Sequence, residues 1–209
     1  MFYKKYSKSS KRWLNEHFND IYVKYAYKKK KRSRAWFKLD EINKRNNILK
    51  SGMNVLDLGS APGSWAEYII EKIGNGLLVA CDIISIIPIK NVKFIKGDIR
   101  NAHTINKILS FKKINVVFSD MAPNFSGLSF IDMNNMTNLL QLSLFISLRV
   151  LVKGGSFITK AFEGIEMNIY LKKLKLYFSK VRVFKPKSSR ARSREVYIIA
   201  FDKIESNVI

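Results

Sequence analysis

Apolar and polar residues follow two rhythms along this chain, and the first gives way to the second near the middle of its N-terminal third. Early on, apolar positions recur three and four apart: Trp13, Leu14, Phe18, Ile21, Tyr22 and Tyr25, then Trp36, Leu39 and Ile42. That spacing predicts a first helix, capped by Ser9 or Ser10 and running through Tyr25. It predicts a second over 35–46, with Trp36, Leu39 and Ile42 as its buried stripe and Lys38 off to one side. Further on, short apolar runs alternate with stretches of helical spacing. The runs place strands at 55–58, 77–81, 92–95, 116–119, 156–159, 181–184 and 196–201, with helices near 65–73, 102–110, 134–152 and 166–178.

Strand–helix alternation signals βαβ units and a parallel sheet. Gly154-Gly155 reads as the turn into the fifth strand. The last two strands are joined by Pro186-Lys-Ser-Ser-Arg-Ala-Arg-Ser-Arg194, which has no helical pattern, so those two strands are expected to pair antiparallel. The expected class is α/β: a Rossmann-like, seven-stranded, mostly parallel sheet with an antiparallel last strand and helices on both faces. With 209 residues there is room for one such domain, residues 33–209, preceded by a basic arm, 1–32. No internal repeat or low-complexity linker interrupts it.

The segment Asp57-Leu-Gly-Ser-Ala-Pro-Gly-Ser-Trp65 is entered by the apolar run Met53-Asn-Val-Leu-Asp57 and left by the amphipathic run Ala66–Ile73. Strand, tight glycine turn and helix form the geometry in which a ligand touches backbone at the carboxyl end of a parallel sheet. Gly59 and Gly63 omit Cβ where the chain turns sharply, and Pro62 is expected to pre-set φ at the first turn of the helix. The spacing is neither G-x-G-x-x-G nor that of a P-loop, and no Lys or Arg lies within the turn. Those features point to a ligand without a pyrophosphate, such as the adenosyl compound S-adenosylmethionine, and disfavour a Rossmann oxidoreductase.

Charge adds a partner. The formal net charge is +22, from 38 basic and 16 acidic residues, which predicts attraction to a polyanion, most simply nucleic acid. Abundant Lys, Ile and Asn can also reflect genome composition, but the arginines are placed: five of the ten fall at Arg32, Arg34, Arg190, Arg192 and Arg194. Lys28-Lys-Lys-Lys-Arg32 reads as a solvated or phosphate-contacting run. The single cysteine, Cys81, rules out an internal disulfide and fits a reducing compartment. No signal-like apolar core follows the N-terminus, and the longest apolar stretch, Leu142–Val152, is interrupted by Arg149 and too short to cross a bilayer. A cytoplasmic protein without a membrane partner is the expectation.

Candidate chemistry sits at strand ends. Asp82 closes the second strand, where a carboxylate can accept hydrogen bonds from both hydroxyls of an adenosyl ribose, or can simply cap the next element. Asp98 ends the third, positioned to meet an adenine amino group or to form an Asx-turn. Trp65 could pack on the ligand or in the core. Asp120, in Ser119-Asp-Met-Ala-Pro123, faces the cleft at the fourth strand end, Lys160 follows the fifth strand, and Glu195 opens the last. There is no Asn/Asp-Pro-Pro-aromatic motif, which argues against methylation of amino groups. Transfer to pyrimidine carbon 5 needs a cysteine nucleophile, and Cys81 lies inside a strand, where it reads as a small core residue. His17 and His103 are isolated, so no metal site is expected.

Taken together, these residues resemble the FtsJ/RrmJ family of ribosomal RNA 2′-O-ribose methyltransferases. The resemblance runs from Ser10-Lys-Arg-Trp-Leu-Asn-Glu-His-Phe18 to Ser188–Tyr197, and its most specific pieces are Arg32-Ser-Arg-Ala-Trp-Phe-Lys-Leu-Asp-Glu41, Asp57–Trp65, Ser119–Asn124 and the final Arg-rich segment. It implies an S-adenosylmethionine-dependent methyltransferase fold and a Lys-Asp-Lys-Glu tetrad on Lys38, Asp120, Lys160 and Glu195. It further implies S-adenosylmethionine contacts at Gly63, Trp65, Asp82, Asp98 and Asp120. Ser60 and Ser64 stand where a bacterial member carries Ala and Gly, and Ser64 could crowd the methionine end of the cofactor.

The implied reaction is 2′-O-methylation of a ribose, a uridine of the 23S large-subunit ribosomal RNA within the assembled 50S subunit, by a monomer. A ribose hydroxyl is a poor nucleophile until a base removes its proton. A lysine accepts a proton only when neutral, from a reference pKa of about 10.4; a second cation lowers that value and carboxylates raise it. Lys160 is the expected base, oriented by Asp120, with Lys38 and Glu195 positioning the ribose and all four titrating as a coupled set. If Lys28–Arg34 and Lys185–Arg194 converge, they form a phosphate-gripping rim. The contrasting reading is a non-catalytic RNA-binding ribosome assembly factor on a dead cofactor fold.

Overall fold

The computed structural model describes residues 18–205 except Phe125 and Ala191. The elements in order are α1 (Ile21–Lys28), α2 (Ala35–Asn46), β1 (Val55–Leu58), α3 (Ser64–Ile73), β2 (Leu78–Asp82) and β3 (Val92–Lys96). They continue with α4 (Ala102–Leu109), β4 (Ile114–Ser119), α5 (Ser129–Val150), β5 (Leu151–Phe162), α6 (Ile165–Leu174), β6 (Phe178–Phe184) and β7 (Glu195–Lys203). One seven-stranded sheet has the order β3-β2-β1-β4-β5-β7-β6. β7 runs antiparallel between β5 and β6, and the remaining pairings are parallel.

The central strands are apolar on both sides because both faces are covered. On one face, Leu56, Leu58, Val79, Val117 and Phe157 pack against Ile108 of α4, Leu140 and Leu144 of α5, and Tyr170 and Leu174 of α6. On the other, Val55, Phe118, Ile158, Tyr197 and Ile199 pack against Leu39 and Ile42 of α2 and Trp65, Tyr68 and Ile69 of α3. The strand order reverses between β1 and β4, and the cleft at such a switch point is where doubly wound sheets bind ligands.

Three local expectations change. The first helix does not run unbroken through Tyr25: Asp20 caps a new helix, its Oδ1 accepting the Tyr22 N–H at 2.9 Å. The expected start of the first helix lies outside the described residues. In α2 the buried stripe is Phe37, Leu39 and Ile42, while Trp36 is half-buried, edge-on to Tyr68 with ring centroids 5.0 Å apart. Gly154-Gly155 is not a turn before β5 but an irregularity inside it: Ile114 pairs with Leu151 and Val116 with Ser156, so several residues of β5 answer one of β4.

Candidate active site

Pro62 does not open α3. It follows a cis Ala61–Pro62 bond in a turn closed by the Gly63 N–H on the Ser60 carbonyl at 2.6 Å, and Gly63 itself caps the helix at φ +100°. Gly59 has φ +76°, and a Cβ there would lie 2.6 Å from Met121 Cγ, so the loops after β1 and β4 meet with no room for a side chain. Beside them lies a cavity of about 500 Å³, at the carboxyl ends of β1, β2, β3 and β4, lined by Gly59, Asp82, Asp98, Asp120 and Met121 among others. Asp82 holds its rim together, Oδ2 accepting from the Ala61 N–H and Oδ1 from the Ile84 N–H, each at 2.8 Å. Asp98 forms the Asx-turn to the Arg100 N–H at 2.9 Å and is clasped by the Arg100 guanidinium, which holds its carboxyl below the usual range. Burial pushes the Cys81 thiol, also lining this cavity, up to about 12.

Gly63 and Trp65, expected at the ligand, do not line this cavity. Trp65 is a core residue, its ring 5.7 Å from Phe118 and 5.6 Å from Tyr197 and its Nε1–H on the Ala35 carbonyl at 2.8 Å. Ser64 does not crowd it either: its Oγ meets Ser33 Oγ at 2.7 Å, away from the cavity lining.

Asp57 is fully buried in β1, and neither carboxylate oxygen has a partner among the described residues; the same holds for Ser60 Oγ. Burial, then the charges of Asp120 and Asp82, push the Asp57 carboxyl well above the ordinary carboxylate range. A group with a raised folded pKa stabilises fully below its unfolded value and loses that contribution as pH rises through the folded one. Asp57→Asn is therefore expected to melt higher than the parent at alkaline pH, with the gap closing as pH falls towards about 4, a trend that thermal scans across pH would read.

Four positions from distant parts of the chain converge on the cavity's edge. Lys160, 8% exposed, donates from Nζ to the Asp120 carbonyl and lies 3.2 Å from Asp120 Oδ1. Lys38 Nζ lies 2.6 Å from Glu195 Oε1. The tetrad is thus two ion pairs, and Tyr197 joins them: its hydroxyl donates to Asp120 Oδ1 at 2.8 Å, and Lys38 Nζ stands 5.9 Å above its ring. Burial and the charges of Asp120 and Glu195 push the Tyr197 hydroxyl well above its ordinary value, so it remains a donor. Sequence reasoning passed over Tyr197, although it lies two residues from Glu195 on the same face of β7 and opposite Lys160 in the register. Tyr197→Phe keeps the packed ring and removes one bond to a carboxylate. A fall in kcat of roughly tenfold to a hundredfold is expected, with cofactor affinity unchanged, in steady-state assays.

The basic segments do converge, but their arginines are largely spent within the protein. Arg32 donates to the Pro62 and Ile87 carbonyls at 3.1 and 2.8 Å and pairs with Glu67 at 2.9 Å. Arg34 donates to the Ser188 carbonyl and pairs with Asp20 at 3.1 Å, with Arg190 Nε 3.6 Å from the same carboxylate. Glu41 accepts the N–H groups of Lys187 and Ser188 at 2.7 and 2.9 Å. Arg32 and Arg34 are therefore struts that brace the cavity loop and the 185–194 loop; Lys28, Lys187, Arg192 and Arg194 stand exposed around them.

Among the described residues no group of three or more His, Cys, Asp or Glu side chains is placed to hold a metal ion, and no helix is long and apolar enough to cross a membrane. The cavity fits an adenosyl sulfonium with a cationic amine. Four carboxylates (Asp57, Asp82, Asp98 and Asp120) stand at or beside it in a strongly basic chain, a lining that suits a cation.

Residues 31–203 match the family of FtsJ-like methyltransferases. The chain is 52% identical over 203 residues to ribosomal RNA large subunit methyltransferase E of Buchnera aphidicola subsp. Baizongia pistaciae, covering 94% of this chain and 97% of that one. A Plasmodium falciparum protein described as a ribosomal RNA methyltransferase superposes with a TM-score of 0.73 at 32% identity, covering 84% of this chain and 100% of that chain. A Clostridium thermocellum protein described as an rRNA-methylase, at 17% identity and a TM-score of 0.57 over 80% of this chain and 97% of that one, shares the fold.

Proposed function

This chain belongs to the FtsJ-like methyltransferase family, and from that premise we propose that it methylates a ribose 2′-hydroxyl, that of a uridine in large-subunit ribosomal RNA within the assembled subunit, in the cytoplasm. The observation that carries the proposal is the pair of ion pairs, Lys160–Asp120 and Lys38–Glu195, joined by Tyr197 at the edge of the cofactor-sized cavity.

S-adenosylmethionine, when bound, supplies a methyl group already activated on a sulfonium. Asp82 would hold its ribose hydroxyls, Asp98 its adenine amino group, and the turn at Gly59–Gly63 its backbone contacts. Asp82 accepts two protein N–H groups, and a carboxylate offers about four acceptor positions, so it has capacity left. Asp98 is held on both oxygens by Arg100 and would meet the amino group once that exposed clasp opens. The remaining work is to position and deprotonate the hydroxyl. Lys160 Nζ is the proton acceptor as the neutral amine, the ammonium paired with Asp120 first giving its extra proton to solvent. Asp120 fixes it through both its carbonyl and its carboxylate, and the Tyr197 hydroxyl fixes that carboxylate. Lys38 and Glu195 donate to and accept from the ribose. Ser189 Oγ holds Glu195 Oε1 at 2.8 Å, which connects the 185–194 loop to the tetrad.

Incubating the protein with methyl-labelled S-adenosylmethionine and subunits lacking the modification tests this. Label retained on ribose after nuclease digestion is expected. Label on a base, or tight RNA binding with no label, defeats the proposal, and the second outcome favours an assembly factor.

A further inference from the structure

A second cavity adjoins the site and takes no part in the chemistry above. Its volume is about 350 Å³, and it lies between α5, α6 and the end of β5, walled by Met133, Met136, Leu140, Phe162, Met167 and Tyr170. Two further lining residues are chain neighbours of the tetrad: Ala161 follows Lys160, and Arg194 precedes Glu195. Phe162 faces Glu195 in the β5–β7 register, and the Arg194 carbonyl accepts the Glu163 N–H at 2.9 Å. The strand ends that present Lys160 and Glu195 are thus also a wall of this cavity. Its charged lining runs against the chain's balance. With 16 acidic residues in the whole protein, Asp132, Glu163 and Glu166 stand here. Asp132 is occupied by the Ser126 and Gly127 N–H groups at 2.7 and 3.1 Å, whereas Glu163 and Glu166 are exposed.

We propose that this cavity receives the nucleobase of the nucleotide whose ribose is methylated. The inference rests on the ribose reading above. The base is carried on C1′, the carbon bonded to C2′. A 2′-hydroxyl delivered to Lys160 therefore brings its base to the ends of the same two strands, where Phe162, two residues beyond Lys160 and opposite Glu195 in the register, lines the cavity. Apolar walls with aromatic rings and three thioethers suit the faces of a flat π-system. The carboxylates repel phosphate, which excludes the backbone, and they accept the N–H donors on a base edge. A base unstacked to expose its ribose loses its neighbours, and this cavity replaces them.

Two measurements test it. Thr137, on α5, lines the cavity, and Thr137→Trp fills it. The expected result is a fall in kcat/KM for RNA of roughly tenfold to a hundredfold with S-adenosylhomocysteine affinity unchanged. A folded variant with normal kcat/KM overturns the proposal. The parent protein supplies the second test through methyl-labelled methionines. With S-adenosylhomocysteine bound, titration with the four nucleoside 3′-monophosphates should move the signals of Met133, Met136 and Met167 for at least one of them. None moving overturns it. Met121 lines the cofactor cavity and separates the two readings. If its signal answers S-adenosylhomocysteine while the other three ignore every nucleotide, only the base site falls. If it is silent, the cofactor reading falls first.

Discussion

Lys160→Ala is expected to lower the single-turnover rate of methyl transfer by roughly a hundredfold to ten-thousandfold while leaving S-adenosylhomocysteine binding intact, the range set by removing a positioned proton acceptor. Lys160 is 8% exposed, does not line the cofactor cavity, and spends its Nζ on the carbonyl and carboxylate of Asp120. Its removal therefore leaves the cavity lining, Asp82 and Asp98 included, in place. Single turnover with enzyme in excess isolates the chemical step from RNA release. A near-normal rate would sink the assignment of Lys160 as base. Lys160→Arg then separates a base from a fixed charge: a guanidinium keeps the positive charge but does not release its proton in proteins. As a base, Lys160 cannot be replaced by Arg, and that variant should be as slow as the alanine one. As a purely electrostatic group it could be, and a substantially restored rate would show it.

Gly59→Ala is expected to weaken S-adenosylhomocysteine binding at least roughly tenfold and to lower Tm, through two effects that add. At φ +76° the chain is left-handed, which costs an L-residue about 1–2 kcal/mol. The new Cβ would also fall 2.6 Å from Met121 Cγ and 3.0 Å from its backbone nitrogen, and overpacking of that kind costs about 1–3 kcal/mol. Met121 lines the cofactor cavity, so any relief of the clash displaces a wall of the binding site. Calorimetric titration and a thermal scan read the two losses separately. Intact affinity would mean that the loops after β1 and β4 do not jointly shape the cofactor site.

The regular elements were legible because burial on two sheet faces imposes apolar runs that a local pattern records. The strands expected at 55–58 and 92–95 lie within a residue of β1 and β3, and the helices at 65–73 and 102–110 match α3 and α4 just as closely. The expected pairing of the last two strands is the antiparallel β6–β7 ladder. Misreadings fall where a contact distant in sequence outweighs a local preference. Lys28–Arg34 holds both cases: Lys28, Lys29 and Lys30 stay exposed, as a solvated run should, while Arg32 and Arg34 turn inward. Only the fold sets Pro62, Glu67 and Ile87 around Arg32, and Ser188 against Arg34 across a separation of 154 residues. Gly154-Gly155 looked like a turn because nothing local shows that β4 will pair on either side of it. Trp65 stood equally between ligand and core, and the rings of Phe118 and Tyr197 decided for the core.

The sequence by itself determined the α/β alternation, the glycine turn at the first strand end and the four charged side chains expected to do chemistry, since each is written in contiguous residues. Tertiary structure alone decided how those charges pair: Lys160 with Asp120, Lys38 with Glu195, and Tyr197 between them. The reason is physical. The two members of each ion pair come from distant parts of the chain, and only the insertion of β7 antiparallel between β5 and β6 brings Glu195 and Tyr197 to the edge where Lys160 emerges.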